Sequence, residues 1–418
     1  MVEAVAQISR ALGQTASLPA TPERRRERIR LQVAIITPLV HVKGYAAPET
    51  KEAAERARLL IEQAEAHGES PEDPLLLFSV LYGFWVANYV AFNGEVVSEL
   101  AAQFLALAQK QAATVPLMIG HRLMGQSLLC TGDVAQGREQ YDQAMALYDP
   151  SRHRPLATRF GQDVGAAILC YRSLAHWLLG YPEAARRDID QALKVAREIG
   201  HAATLMYTMG HLQLTHIYCG NYAAADALSD ELVALADEKG APLWRAFGMM
   251  NRGLLLALTG KAKDAIEKIT SGLAAWRSTG STLWTPLYLP HLARAHAQCG
   301  QREDARRCID DAMLVVENTK ETWCESEIHR IAGDIELMSP KPDAANAQAQ
   351  FERALKISRA QQSKSLELRA SMSMARLWRD QGMQDEARAL LAPLYGWFAE
   401  GFDTLDLQQA KTMLDALA

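Results

Sequence analysis

Gly180-Tyr181-Pro182-Glu183-Ala184-Ala185, Gly220-Asn221-Tyr222-Ala223-Ala224-Ala225, Gly260-Lys261-Ala262-Lys263-Asp264-Ala265 and Gly300-Gln301-Arg302-Glu303-Asp304-Ala305 are four versions of one turn. In each, a glycine is followed five residues later by an alanine, and the glycines stand 40 residues apart three times running. A second comb, Gly200, Gly240 and Gly280, falls between them. A glycine just past a helix end takes the left-handed backbone conformation without a Cβ clash, so it ends a helix cheaply. The segments between carry apolar residues at helical spacing over about 18 residues each. The unit is therefore helix A, turn, helix B, turn. The first comb marks the turn inside each pair, and the second marks the turn between pairs.

Small residues identify the kind of pair. Twelve residues after the inner glycine stand Ala192, Leu232, Gly272 and Ala312; seven before it stand Ser173, Gln213, Gly253 and Ala293. Such positions let helices A and B approach closely and let the next pair stack. The pattern resembles the tetratricopeptide repeat, stretched from about 34 residues to a period of about 40. The expected fold is an all-α, tetratricopeptide-like solenoid, wound as a right-handed superhelix. The frame extends back to Gly132 with Ala144 and forward to Gly382 with Ala387. Eight pairs are expected, with inner turns near 44, 94, 132, 180, 220, 260, 300 and 341, followed by a cap. The step from Gly132 to Gly180 is eight residues too long, which puts an insertion near Asp149–Pro155. The organisation expected is a lone helix of a truncated repeat over 1–20, divergent repeats over 21–115, regular repeats over 116–392 and a capping helix over 393–418. The first of these has a helix B pattern (Ala4, Ile8, Ala11, Leu12) with no helix A before it, so its apolar stripe invites a partner.

Composition agrees. Of 418 residues, 49% are hydrophobic, 22% charged and 7% aromatic, and the abundance of Ala and Leu favours helix over sheet. A net charge of −5 gives no general pull toward nucleic acid or an anionic membrane. The start Met1-Val-Glu-Ala lacks a signal-peptide pattern, no apolar run is long enough to span a bilayer, and the six cysteines form no C-x-x-C pair. These features point to a cytoplasmic protein.

Several stretches resemble a known family: Lys43-Gly-Tyr-Ala-Ala-Pro-Glu49, Ala146-Leu-Tyr-Asp-Pro150 through Gly161-Gln-Asp163, Trp177-Leu-Leu-Gly-Tyr-Pro182, Ser365-Leu-Glu-Leu-Arg369, Ala375-Arg-Leu-Trp-Arg-Asp-Gln-Gly382 and Tyr395-Gly-Trp-Phe-Ala-Glu-Gly-Phe-Asp-Thr404. They are similar to the C-terminal tetratricopeptide-like region of bacterial class III adenylate/guanylate cyclase–AAA/STAND ATPase signalling proteins. Both catalytic domains of those proteins are missing here. The resemblance implies a regulatory or partner-binding module and carries over no catalytic residue.

No catalytic or cofactor motif is present in the sequence. Gly260-Lys261 is followed by Ala262 and has Leu255 where a phosphate-binding loop needs its first glycine; there is no H-E-x-x-H and no G-x-S-x-G. No cofactor, metal or catalytic residue is expected. Candidate binding residues fall in two groups. Trp244, Trp284 and Trp323 recur near the start of three successive helices A, as wedges under the preceding helix or as an aromatic ladder on the concave face. Arg152, His153, Arg154, Arg159, Gln162 and Asp163 lie in or beside the insertion, as an anion or ligand site or as a structural plug. The function expected is a non-catalytic scaffold for protein–protein interaction or effector sensing in bacterial signalling. The alternatives are a detached regulatory region or split subunit of a nucleotidyl cyclase/ATPase, and a small-molecule sensor using the concave groove. Expected partners are proteins, such as an ATPase or cyclase subunit or a second copy through the N-terminal end, with a small-molecule effector open; nucleic acid and membrane are not expected.

Overall fold

The computed structural model describes residues 2–16, 19, 21–43, 47–67, 73 and 75–418, and among them there is no β-strand. The helices are α1 (Val2–Ala16), α2 (Pro22–Ala34), α3 (Ile36–Lys43), α4 (Pro48–Ala66), α5 (Leu76–Val90), α6 (Gly94–Gln111), α7 (Thr114–Cys130), α8 (Val134–Ala146), α9 (Pro150–His153), α10 (Ala157–Phe160), α11 (Val164–Leu178) and α12 (Pro182–Ile199). They continue as α13 (Ala202–Tyr218), α14 (Tyr222–Lys239), α15 (Pro242–Leu258), α16 (Ala262–Ser278), α17 (Thr285–Gln298), α18 (Arg302–Thr319), α19 (Glu325–Leu337), α20 (Ala344–Ala360), α21 (Lys364–Asp380), α22 (Gln384–Tyr395) and α23 (Leu405–Ala416). No helix among the described residues is long and apolar enough to cross a membrane.

The chain is a tetratricopeptide-like solenoid. Each long helix packs on the next, and each helix A also packs on the helix A of the following pair. Gly180, Gly220, Gly260 and Gly300 all have positive φ, as do Gly200, Gly240 and Gly280, so the two combs end the helices as expected. Ala185, Ala225, Ala265 and Ala305 are buried to within 1% of full enclosure, which fixes the close approach of A to B. The count of eight pairs falls one short. Helices α21 and α22 pack as a further pair around Gly382, because the glycine and Ala387 keep the same frame there, and the cap is α23. Helix α1 lays Val5, Ile8 and Leu12, each partly buried, against the core of α2–α5.

The two kinds of helix are buried differently. In α13, 13 of 17 residues are buried, whereas in α12 only six of 18 are. A helix buried all round needs neighbours on every side, and the superhelix supplies them by closing on itself. The backbone N–H groups of Thr282 and Leu283 donate to the Val90 carbonyl, and those of Thr322 and Trp323 donate to the Cys130 carbonyl. The Thr322 hydroxyl reaches the Thr131 carbonyl at 2.7 Å, a partner 191 residues away. Ser363 and Ser365 donate likewise to the Leu178 and Trp177 carbonyls, 185 and 188 residues away. Further on, Glu400 Oε1 accepts from the Glu183 and Ala184 amides, and Arg186 pairs with Asp403 at 2.7 Å. Successive superhelical turns are thus stitched together. One hydrophobic cluster, running from Phe78 to Leu366, fills the axis where an open solenoid would have a groove.

Candidate functional site: the superhelix interior and its vestibule

Helix α7 carries the central residue. Gly125 in α7 faces Gly137 in α8, and a Cβ on either would lie 3.0 Å from the other's carbonyl oxygen, so the two helices cross at a separation only glycine permits. One turn earlier on α7, Arg122 is enclosed, 2% exposed. Its guanidinium lies 5.8 Å from the Tyr82 ring centre and 6.0 Å from that of Tyr207. The Gln162 amide is satisfied with its oxygen toward Arg122: it accepts from Nη2 at 2.8 Å and Nη1 at 3.2 Å, while its nitrogen donates to the Phe160 carbonyl at 3.0 Å. Among the described residues no carboxylate pairs with Arg122, and its Nε–H has no acceptor. An arginine stays protonated in a protein, so the interior holds a cation matched only by neutral groups.

Around it is a cavity of about 50 Å³, walled by Tyr82, Trp85, Tyr171, Tyr207, His211, Trp244 and Trp284 among others. Gln126 lines it too; its nitrogen donates to the Tyr207 hydroxyl at 3.3 Å and its oxygen has no donor. The other polar walls form a directed chain. Tyr89 donates to the Tyr171 hydroxyl at 3.0 Å, Tyr171 donates to His211 Nε2 at 2.9 Å, and His211 Nδ1–H donates to the Tyr207 carbonyl at 2.8 Å. Burial pushes the His211 imidazole down to about 4, so it is neutral at physiological pH and accepts as drawn. Burial also raises the Cys130 thiol, which sits 3.3 Å from the Tyr89 hydroxyl, leaving a packing thiol rather than a nucleophile.

A second cavity, about 530 Å³, lies beyond Tyr82 and Val86, which wall both. It is bounded by α2 and α3 (Arg30, Val33, Ile36, Pro38), by α5 (Leu76, Ser79, Gly83), by the inserted segment (Ala157–Gly161) and by His201. The insertion builds this vestibule. Asp149 caps α9, and Gly161 at φ 80 turns the chain into Asp163, which caps α11 by accepting from the Ala166 amide at 2.8 Å. Arg159 pairs with Asp73 across the vestibule wall.

The candidate residues from the sequence part company here. Trp244 and Trp284 line the interior cavity, Gln162 holds Arg122, and Arg159 lines the vestibule. Trp323 is fully enclosed, edge-on to Trp284 at 5.4 Å, and lines neither cavity. Asp163 is a buried cap that also accepts from the Tyr148 hydroxyl at 2.8 Å. His153 Nδ1 accepts from the Asp149 amide at 3.0 Å, Arg154 pairs with Glu198 at 3.2 Å, and Arg152 is exposed; all three stand outside both cavities. Arg122, Tyr82, Tyr171 and Tyr207 escaped the sequence reading. A signal for Arg122 existed: it is the single Lys, Arg, Asp or Glu among the 17 residues of α7. Among the described residues no group of three or more His, Cys, Asp or Glu side chains could hold a metal ion.

No family model matches the chain. An uncharacterized protein of Rhizobium meliloti is 21% identical over 305 residues, which is 72% of this chain and 29% of that protein. The chain thus spans well under half the length of that relative. Among solved structures, a Rap protein complexed with competence and sporulation factor is similar with a TM-score of 0.61 and 12% identity, over 94% of this chain and 100% of that one. The APC/C hetero-tetramer Cut9–Hcn1 is similar with a TM-score of 0.51 and 12% identity, over 94% of this chain and 63% of that one. These likenesses show the helical-repeat fold.

Proposed function

We propose that the chain is a non-catalytic regulatory scaffold that binds an effector in the vestibule and passes its occupancy to a protein partner. The vestibule carries this reading. Its volume, about 530 Å³, lies in the range of ligand sites, and its walls come from segments far apart in sequence, so occupancy couples the N-terminal pairs to the insertion. The Rap protein with a similar fold was solved in complex with competence and sporulation factor, which supports effector binding by a solenoid of this kind. The test is a thermal-shift screen of apolar peptides and small metabolites against the wild type and Thr158→Trp. Thr158 is an exposed residue of the vestibule wall, so the larger side chain blocks the cavity without disturbing the core. Ligands that stabilise the wild type and not Thr158→Trp support the proposal; a screen without hits, or hits that persist in the variant, refutes it.

A second reading rests on length. The similar stretch is 29% of the Rhizobium meliloti protein, so a region of this kind occurs within a longer chain. That supports a detached regulatory region or split subunit; a cyclase or ATPase chain as its partner comes from the family resemblance of the sequence alone. Co-purification with an ATPase or cyclase encoded next to it would support this version, and its absence from stoichiometric complexes would count against it.

A further inference from the structure

We infer that Arg122 is the anchor of a binding site for a monocarboxylate on an apolar body, the head group entering the interior cavity and the body remaining in the vestibule. The inference rests on the effector-binding reading above and specifies its ligand.

Arg122 is 2% exposed, has no carboxylate partner among the described residues, keeps a buried, unsatisfied Nε–H, and lines the cavity with its side chain. A buried cation without a counter-ion is costly, and proteins retain one where something supplies the anion. The planar fork of a guanidinium matches a carboxylate. Gln126 fits the same ligand: it lines the cavity with a partnerless amide oxygen, and turning the amide over frees an N–H₂ to donate while the oxygen accepts from the Tyr207 hydroxyl, 3.3 Å from the present nitrogen. The volume, about 50 Å³, holds a head group and not a whole ligand; it would otherwise hold about three or four waters. The walls are aromatic, so a dianion such as phosphate would bring a second charge with nothing to meet it. Neutral His211 adds no further cation. The remaining length of the ligand fits the vestibule beyond Tyr82 and Val86, whose α2, α3 and α5 walls are mainly aliphatic.

Two sources share this chemistry, a free small acid and the C-terminus of an apolar peptide. The experiment uses the full chain and measures Tm and intrinsic tryptophan fluorescence, since Trp244 and Trp284 line the cavity. The probes are hexanoate against hexanamide, and an apolar pentapeptide with a free or an amidated C-terminus. A Tm that rises with the logarithm of hexanoate or free-acid peptide concentration, with no response to the matching amide, supports the site; whichever acid acts more strongly identifies the source. This comparison is made on the unaltered protein and does not depend on a variant folding. Arg122→Met adds a second readout. The inference expects it to melt at or above the unliganded wild type, because an uncompensated charge is removed, and to lose the acid response. Equal responses to acid and amide, no response to either acid, or an acid response that survives in Arg122→Met would overturn it. A neutral ligand that stabilises the wild type but not Thr158→Trp, with both acids silent, would overturn the carboxylate assignment alone and leave the effector-binding reading standing.

Discussion

Glu321 makes the stitched superhelix pH-sensitive. Its carboxyl is fully enclosed and accepts from the Trp284 amide at 3.0 and 3.2 Å and from the Trp323 indole at 3.2 Å. Trp284 has φ 69, a left-handed conformation that a bulky residue adopts only when held, and Glu321 holds it beside the Leu283 amide that bonds to Val90. Burial raises the Glu321 carboxyl from its ordinary value of 4.5 to about 8, against the lowering effect of those hydrogen bonds. Among the described residues no cation faces it; the groups that interact with its charge are Cys130, Cys324 and Tyr288, all raised by burial. The sign follows from linkage. Between the two values the folded chain keeps a proton that the unfolded chain has lost, so stability is complete below about pH 4.5 and falls as pH rises through about 8. At 1.36 kcal/mol per pH unit, that rise corresponds to about 5 kcal/mol. The perturbation is Glu321→Gln, which keeps a carbonyl acceptor but cannot ionise. Thermal melts of both proteins from pH 5 to pH 9 isolate this group, since all others titrate alike in the two. The wild type is expected to lose ground steadily to the variant from pH 5 to about 8 and to level off above it. A difference between the two that stays flat with pH would refute the reasoning.

Two other outcomes are expected. Replacing Ala185 or Ala305 by leucine, each fully enclosed between helices A and B, should cost on the order of 1–3 kcal/mol by overpacking; a loss under about 0.5 kcal/mol on chemical denaturation would put the close A–B contact in doubt. The purified chain should neither hydrolyse nor cyclise ATP, because the sequence carries no phosphate-binding loop; turnover that persists through rigorous purification would contradict this.

The local structure was legible because it is written locally. Glycines at a 40-residue spacing and small residues at fixed offsets from them report helix ends and helix contacts within one repeat. Where the comb lapses, the turns remain but other residues make them: Ala112, Lys320 and Gln362 take positive φ at helix ends. A residue that adopts this conformation under tertiary constraint leaves no mark in the sequence, so these three turns carry no glycine signal. The closure of the superhelix was not legible, since most of its bonds join residues more than 180 apart through backbone carbonyls that any sequence supplies. The site depended on that closure. Trp244 and Trp284 stood out by their recurrence, but a concave face and a filled axis predict the same spacing. Arg122 became a candidate once the interior was known to be closed, because an arginine on an open groove would be solvated.

Hydrogen exchange at four backbone amides tests the closed superhelix most directly. Thr282, Leu283, Thr322 and Trp323 lie in or beside between-pair turns, yet their N–H groups donate to Val90 and Cys130 on the neighbouring superhelical turn. In a closed, filled superhelix these four amides exchange as slowly as those in the middle of α13 and α15, and they stay slow until the array unfolds. Exchange at the rate of exposed turns, such as the one around Gly260, would mean that the turns are not joined, that the axis is open to water, and that Arg122 is not enclosed.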